Sequence, residues 1–120
     1  CWGTGHQLRE FMFVDDLADA CIYALENWDL NKQNAPKDKF GNSLSWLNVG
    51  SDIEISIKDL SNKIAELIGF KGKIIWDENM PNGNLRKKLN SKRFHSLGWK
   101  PKTTLDEGLL KTIYDYKKNY

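Results

Sequence analysis

Cysteine and histidine are scarce in this chain of 120 residues, which holds two of each. Cys1 and Cys21 are too few for a disulfide-stabilised scaffold. His6 and His95 lie far apart in the sequence and have no partner at the spacing of zinc ligands. Cys21 falls on the apolar side of a predicted helix, where we expect a buried free thiol. The sequence therefore predicts neither a disulfide framework nor a metal site.

Long apolar runs are also missing. No stretch has the length and composition of a transmembrane helix, and the first residues do not resemble a secretory signal. We therefore expect no membrane association and a cytoplasmic location. The chain begins at Cys1 without an initiating Met, and its first residues have the composition of a loop. We interpret the chain as a piece of a larger fold.

The common motifs of nucleotide-binding enzymes are missing as well. The chain has no Gly-x-Gly-x-x-Gly, and the run Trp2-Gly3-Thr4-Gly5 lacks the Gly-Lys-Ser/Thr of a phosphate-binding loop. Tyr114 and Lys118 have Tyr-x-x-x-Lys spacing but lie at the end of the last predicted helix, so we do not assign them as a catalytic pair. We predict no catalytic and no cofactor-binding residue in this chain.

Three short runs are predicted to form strands because they are rich in β-branched and aromatic residues. These runs are Arg9–Val14, Ser45–Val49 and Lys73–Trp76. Helical segments lie between and after them, and the alternation of strands with helices predicts an α/β fold.

Four helices are predicted from capping residues and apolar faces. The predicted caps are Asp15 or Asp16, Ser56 with Asp59, Ser91, and Thr104 with Glu107. The apolar stripe from Leu17 to Trp28 on the first helix is expected to pack in the core. Residues 29–43 are polar and predict a mobile surface loop, which we interpret as an insertion.

Charge is unevenly distributed along the chain, although its net value is only +2. Residues 1–70 hold 6 Lys/Arg and 11 Asp/Glu, whereas residues 71–120 hold 12 and 5, so the halves carry −5 and +7. The basic half suggests an anionic ligand or, as an alternative, a non-catalytic module that binds nucleic acid. No aromatic residues interleave with the basic cluster as they do in single-strand-binding proteins, so we expect no nucleic-acid partner.

The first 20 residues contain three motifs in a recognisable order, namely WGTG, REF and VDDLADA. This order is similar to that of the extended short-chain dehydrogenases/reductases that act on nucleotide sugars. The resemblance implies an α/β fold of which this chain is the C-terminal portion, with the cofactor-binding Rossmann half absent.

Motifs in the second half resemble one family in particular. In order, they are NVGS, IKDL, IGFKG, WD, PNG, RK and LGWKP. Their order and spacing are those of the GDP-L-fucose synthase family, and the resemblance covers Cys1–Tyr120 apart from the loop at 29–43. It implies an NADPH-dependent enzyme that epimerises and then reduces GDP-4-keto-6-deoxy-D-mannose, and a homodimer at full length.

The resemblance further implies that this chain is one substrate-binding part, spanning residues 1–120. Segments 15–28 and 45–50 would pack on the missing cofactor domain. That domain would also bring NADPH and the catalytic residues, which in the family lie upstream.

Four residues match substrate-binding positions of the family. Trp2 would contact the substrate through its flat ring, and Arg9 would face the diphosphate, with Lys87 nearby. Asn82 stands where the family usually has Asp; it keeps an acceptor oxygen and adds a donor, but it lacks the charge. Asn82 therefore leaves a second interpretation open, the C-terminal part of another nucleotide-sugar epimerase or dehydratase.

Overall fold

A computed structural model describes residues 1–119 and shows a mixed α/β arrangement. In chain order the elements are β1 (Leu8–Glu10), α1 (Val14–Asn27), β2 (Glu54–Ser56), α2 (Ile57–Leu67), β3 (Arg86–Lys87), α3 (Lys92–His95) and α4 (Leu105–Asn119). None of the helices formed by residues 1–119 is long and apolar enough to cross a bilayer.

The three strands form one small sheet with the order β2-β1-β3. Strand β1 pairs antiparallel with β2, so that Arg9 lies opposite Ile55. It pairs parallel with β3, so that Arg9 lies beside Lys87. The central strand thus joins the start of the chain to two segments that are distant in sequence.

The predicted strands are only partly formed. The first begins one residue earlier than the predicted Arg9–Val14 and ends at Glu10, while Val14 begins helix α1. No strand forms at Ser45–Val49 or Lys73–Trp76 within the described residues, and β2 was not predicted. A β-rich run becomes a strand only where a partner edge is available, and the partner is set by the rest of the fold.

Residues 75–77 do find a partner, although not as a regular strand. They lie alongside residues 1–3 through a short parallel pairing of Trp2 with Asp77. The terminal amino group of Cys1 donates a hydrogen bond to the carbonyl of Ile75 at 2.8 Å, and the N–H of Gly3 donates to the carbonyl of Asp77 at 2.8 Å. The start of the chain is therefore fixed against this segment.

Two helix starts follow the predicted capping. In α2 the Ser56 hydroxyl oxygen accepts from the N–H of Asp59 at 3.0 Å. In α4 the Glu107 carboxylate accepts from the N–H of Thr104 at 2.8 Å, while the Thr104 hydroxyl oxygen accepts from the N–H of Glu107 at 3.3 Å. The pair in α4 is a complete capping box, whereas in α2 the Asp59 carboxylate accepts from the Ser56 hydroxyl instead of its N–H.

The predicted cap of α1 is wrong, and the predicted cap of α3 is confirmed in position only. The N-cap of α1 is Phe13, and Asp16 lies inside the helix with its carboxylate buried. That carboxylate accepts from the N–H groups of Lys102 and Thr103 at 3.2 and 2.9 Å, so it fastens α1 to the turn that precedes α4. Ser91 occupies the N-cap position of α3 without a side-chain capping bond.

The buried core is small. Ala20 of α1 packs with Phe94 and Trp99, whose rings meet edge to face with centroids 5.4 Å apart. The rest of the apolar stripe on α1 is only partly covered, and Leu25 is 87% exposed. Cys21 is exposed too, which corrects the prediction of a buried thiol.

The molecule is flat and extended, with principal dimensions of 55 × 35 × 18 Å. Its radius of gyration is 18.0 Å, against about 14 Å for a compact domain of this length. Its accessible surface is 8960 Å², against about 6,700 Å² for a compact monomer of this mass. This chain leaves more surface in solvent than a self-contained domain does.

Candidate substrate-binding site

The four predicted site residues lie on two segments that hydrogen bonds hold together. Residues 1–9 run beside residues 75–87, starting at the pairing of Trp2 with Asp77 and ending in the β1–β3 pairing. Between these points the N–H of Leu8 donates to the carbonyl of Leu85 at 2.9 Å. Sequence-distant residues thereby form one continuous surface.

Arg9 and Lys87 project from the same face of the sheet, because directly paired residues of neighbouring strands share a face. Arg9 is half-buried, and its Nη1 donates to the carbonyl of Leu8 at 2.6 Å. Lys87 is exposed. Neither cation forms an ion pair within residues 1–119. This pair of charges is available to an anion from outside the chain.

The neighbouring cations Arg86 and Lys88 are used within the chain. Arg86 makes a two-pronged contact with Glu54, with Nε donating to Oε1 at 2.7 Å. The hydrogen bond from Arg86 lowers the pKa of the Glu54 carboxyl. Lys88 donates to the backbone carbonyl of Asp52 at 2.8 Å. Since side chains alternate along an extended segment, residues 86 and 88 face away from Lys87.

Asn82 fastens the segment 75–87 to the start of the chain. Its Oδ1 accepts from the N–H of Thr4 at 2.7 Å and from the side-chain amide of Gln7 at 2.5 Å. Gly3 makes the close approach possible, because a Cβ there would lie 2.5 Å from Asn82 Oδ1 and its φ is +73°. Gln7 and Thr4 were not predicted as site residues, and no local pattern distinguishes them from other polar loop residues.

Trp2 presents its ring to solvent, with 70% of the residue exposed. Ile75 and Leu85 on the facing segment are also exposed. No described contact joins the Trp2 side chain to Arg9, Asn82 or Lys87. The backbone pairing at residues 1–3 and 75–77 alone relates Trp2 to the other three.

Two cavities lie elsewhere and fit an anionic ligand less well. One of 540 Å³ between α2 and α4 is lined mainly by apolar side chains such as Ile53, Leu60 and Leu109. The other, of 630 Å³, includes Arg86 and Lys88, which already contact Glu54 and the carbonyl of Asp52, and Asp52 itself lines it. Neither cavity is lined by any of the four predicted residues. The Arg9–Lys87 face remains the candidate site for an anion.

This chain is similar in sequence to nucleotide-sugar enzymes over most of its length. The model of the NAD dependent epimerase/dehydratase family matches residues 1–36. Probable GDP-L-fucose synthase 1 of Oryza sativa subsp. japonica is 42% identical over 98% of this chain and 32% of its own length. GDP-L-fucose synthase of Escherichia coli is 36% identical over 98% of this chain and 36% of its own.

Solved structures share the fold. A GDP-6-OMe-4-keto-L-xylo-heptose reductase from C. jejuni superposes with a TM-score of 0.83 and 33% identity, over all of this chain and 34% of its own. GDP-mannoheptose C4 reductase from Campylobacter jejuni, solved with NADP bound, gives 0.80 and 32%, over 98% and 34%.

The fold matches about a third of solved GDP-sugar reductases and fits the class of extended short-chain dehydrogenases/reductases. Within that class, the sequence similarity is to the GDP-L-fucose synthases, as the motifs predicted. The chain spans about a third of the length of the curated relatives that it matches.

Proposed function

We propose that this chain binds the GDP-sugar in an enzyme that epimerises and reduces GDP-4-keto-6-deoxy-D-mannose to GDP-L-fucose with NADPH. The observation that carries the proposal is the Arg9–Lys87 pair, which lies on one face of the sheet without acidic partners among residues 1–119. A guanidinium fork beside an ammonium group matches the adjacent oxygens of a diphosphate.

Trp2 and Asn82 complete the proposed site. The exposed indole of Trp2 offers a flat apolar surface against a base or sugar. Asn82 fixes a loop that passes close to Arg9. A Cβ added at the adjoining Gly83 would lie 4.0 Å from Arg9 Nη2. Each of the four residues therefore has a role that suits a nucleotide sugar.

The residues of this chain do not fit the cofactor. Residues 1–119 contain no strand–turn–helix with a glycine-rich turn of the kind that binds a dinucleotide phosphate. NADPH, which would supply the hydride, is assigned in this proposal to the portion that the longer relatives have in addition. The epimerising and reducing residues are assigned there too.

The same portion would cover the exposed apolar surface. We assign residues 15–28 and 45–50 to contact with it, because Leu17 and Leu25 of α1 and Trp46 are exposed here. The unpaired run Ser45–Val49 would then gain a strand partner. Homodimer formation and a cytoplasmic location stay predictions.

The complete polypeptide that contains these residues provides the test. Incubated with NADPH and GDP-4-keto-6-deoxy-D-mannose, it should yield GDP-L-fucose by NMR, and GDP should bind in calorimetry. Arg9→Ala and Lys87→Ala should each weaken GDP binding by about tenfold to a hundredfold, the value of a hydrogen bond to a charged group. Lys88→Ala is the control and should bind GDP like the wild type.

Other results would redirect the proposal. Turnover of a UDP-sugar without net NADPH oxidation would favour a sister epimerase. Equal losses from Lys87→Ala and Lys88→Ala would show that diffuse basic charge binds the ligand. Salt-sensitive retardation of nucleic acid with no GDP binding would favour the nucleic-acid module.

A further inference from the structure

The carboxylate of Glu10, the last residue of β1, holds two neighbouring segments at once. Its Oε1 accepts from the N–H of Asp52 at 2.6 Å, shortly before β2 begins. Its Oε2 accepts from the N–H of Leu89 at 3.0 Å, shortly after β3 ends. Both donors are backbone groups, so each bond fixes main chain and not a flexible side chain. We call this arrangement the Glu10 clamp.

Packing also restricts the Glu10 carboxylate. Glu10 is half-buried, and no cation forms an ion pair with it within residues 1–119. A Cβ added at Gly50 would collide with Glu10 Oε1, and it would lie 3.0 Å from the hydroxyl oxygen of the fully buried Ser91. The backbone of Gly50 therefore closes one side of the carboxylate, and only glycine leaves it room.

Strand β3 needs a constraint of this kind because it is only two residues long. Its pairing with β1 joins Leu8 to Arg86 and Arg9 to Lys87, and a third cation, Lys88, follows directly. A slip of one residue would still place a cation beside Arg9, but it would exchange the faces of the segment. The composition of the segment alone cannot select the cation that shares a face with Arg9.

Two backbone contacts bracket Lys87 and select it. Before β3, the N–H of Leu8 donates to the carbonyl of Leu85 at 2.9 Å. After β3, the N–H of Leu89 donates to Glu10. A slip of one residue would move that N–H by about 3.3 Å along the strand and break the bond. The ion pair of Arg86 with Glu54 is a weaker constraint, because the Arg86 side chain is 60% exposed.

We propose, building on the proposed function, that Glu10 is a positioning residue for the diphosphate site. The Glu10 clamp fixes the register in which Lys87 lies beside Arg9 and Arg86 faces Glu54. Glu10 itself does not touch the ligand and acts through the backbone of Leu89 and Asp52.

The sign of the effect distinguishes positioning from charge. Glu10→Ala removes a negative charge next to Arg9, which by electrostatics alone would strengthen the binding of an anion. Loss of positioning predicts the opposite. In the complete polypeptide we expect GDP binding to weaken by about threefold to tenfold in calorimetry. Glu10→Gln keeps one acceptor and should lose less. Glu78→Ala, which removes an exposed glutamate from the segment 75–87, is the control and should not weaken GDP binding.

Two further readouts report on the register itself. In the Glu10→Ala background, Lys87→Ala should cost less GDP affinity than it does in the wild type, and Lys88→Ala should now cost affinity. Without GDP, the peptide that contains Leu89 should take up deuterium faster in Glu10→Ala than in the wild type, because its N–H has lost its acceptor.

Other results would overturn the inference. Unchanged or tighter GDP binding by Glu10→Ala would show that Glu10 does not position the site. Weaker binding that keeps the wild-type pattern for Lys87→Ala and Lys88→Ala would show a loss of stability alone. If the wild type does not bind GDP, the proposed function fails, and deuterium uptake still tests the Glu10 clamp by itself. Unchanged uptake at Leu89 would then refute the clamp as well.

Discussion

The exposed apolar face of α1 predicts that these 120 residues self-associate when they are produced alone. The face carries Leu25, which is 87% exposed, together with Val14 and Leu17. A contiguous apolar surface of this kind drives association in water. We expect a single charged substitution at the centre of this face, Leu25→Lys, to shift the chain toward the monomer.

The magnitude follows from the surface areas. The chain exposes 8960 Å², which exceeds the value for a compact monomer by about 2,300 Å². That excess falls in the range of obligate interfaces, about 2,000–5,000 Å². Burying one leucine side chain contributes about 1.5–3 kcal/mol. Leu25→Lys should therefore raise the dissociation constant of the assembly by about tenfold to a hundredfold.

Sedimentation velocity across a concentration series measures the effect. Asn27→Lys is the matched control, because it adds the same charge on the other side of the same helix and should leave association unchanged. In the complete polypeptide, Leu25→Lys should lower the melting temperature, since the proposed cofactor portion would cover the face. A wild-type chain that is monomeric at all concentrations, with a sharp transition at high temperature, would refute the reasoning.

Three further predictions concern stability. Asp16→Ala should lower the free energy of unfolding by about 3 kcal/mol in urea titration, because it leaves buried donors without an acceptor; Asp15→Ala, one residue away and exposed, should change it little. Hydrogen bonds from Thr104 lower the pKa of the Glu107 carboxyl. Its contribution to stability should be present above the unfolded pKa and disappear as pH falls through the lower folded pKa, and Glu107→Gln should lack this dependence in melting curves recorded against pH. Gly5→Ala should lower the melting temperature, since φ is +74° and the new Cβ would lie 2.7 Å from the Trp76 ring. Gly41→Ala also places a side chain at positive φ but in open space, so comparing the two variants separates backbone strain from steric clash.

The sequence by itself determined the features that depend on a few consecutive residues. The N-caps Ser56 and Thr104 formed as predicted, because each needs only a side chain and an N–H three residues away. Gly69 and Gly98 adopt positive φ at the ends of their helices, as glycine at such positions allows. The order of motifs along the whole chain also sufficed to identify its relatives.

Tertiary structure alone decided which distant groups meet. Ser45–Val49 has the composition of a strand but no partner edge here, whereas Glu54–Ser56 forms one because β1 lies beside it. In the sequence Asp16 resembled a helix cap. In the structure it is buried, and its carboxylate accepts a hydrogen bond from the backbone of a turn far along the chain.

The candidate site shows the same division. A run of three cations was visible in the sequence, but the pairing register placed Lys87 beside Arg9 and turned Arg86 toward Glu54. No local rule could predict this outcome, because a shift of one residue in register exchanges the two faces of a strand. The three donors on Asn82 likewise come from a loop that only the folded chain brings near it.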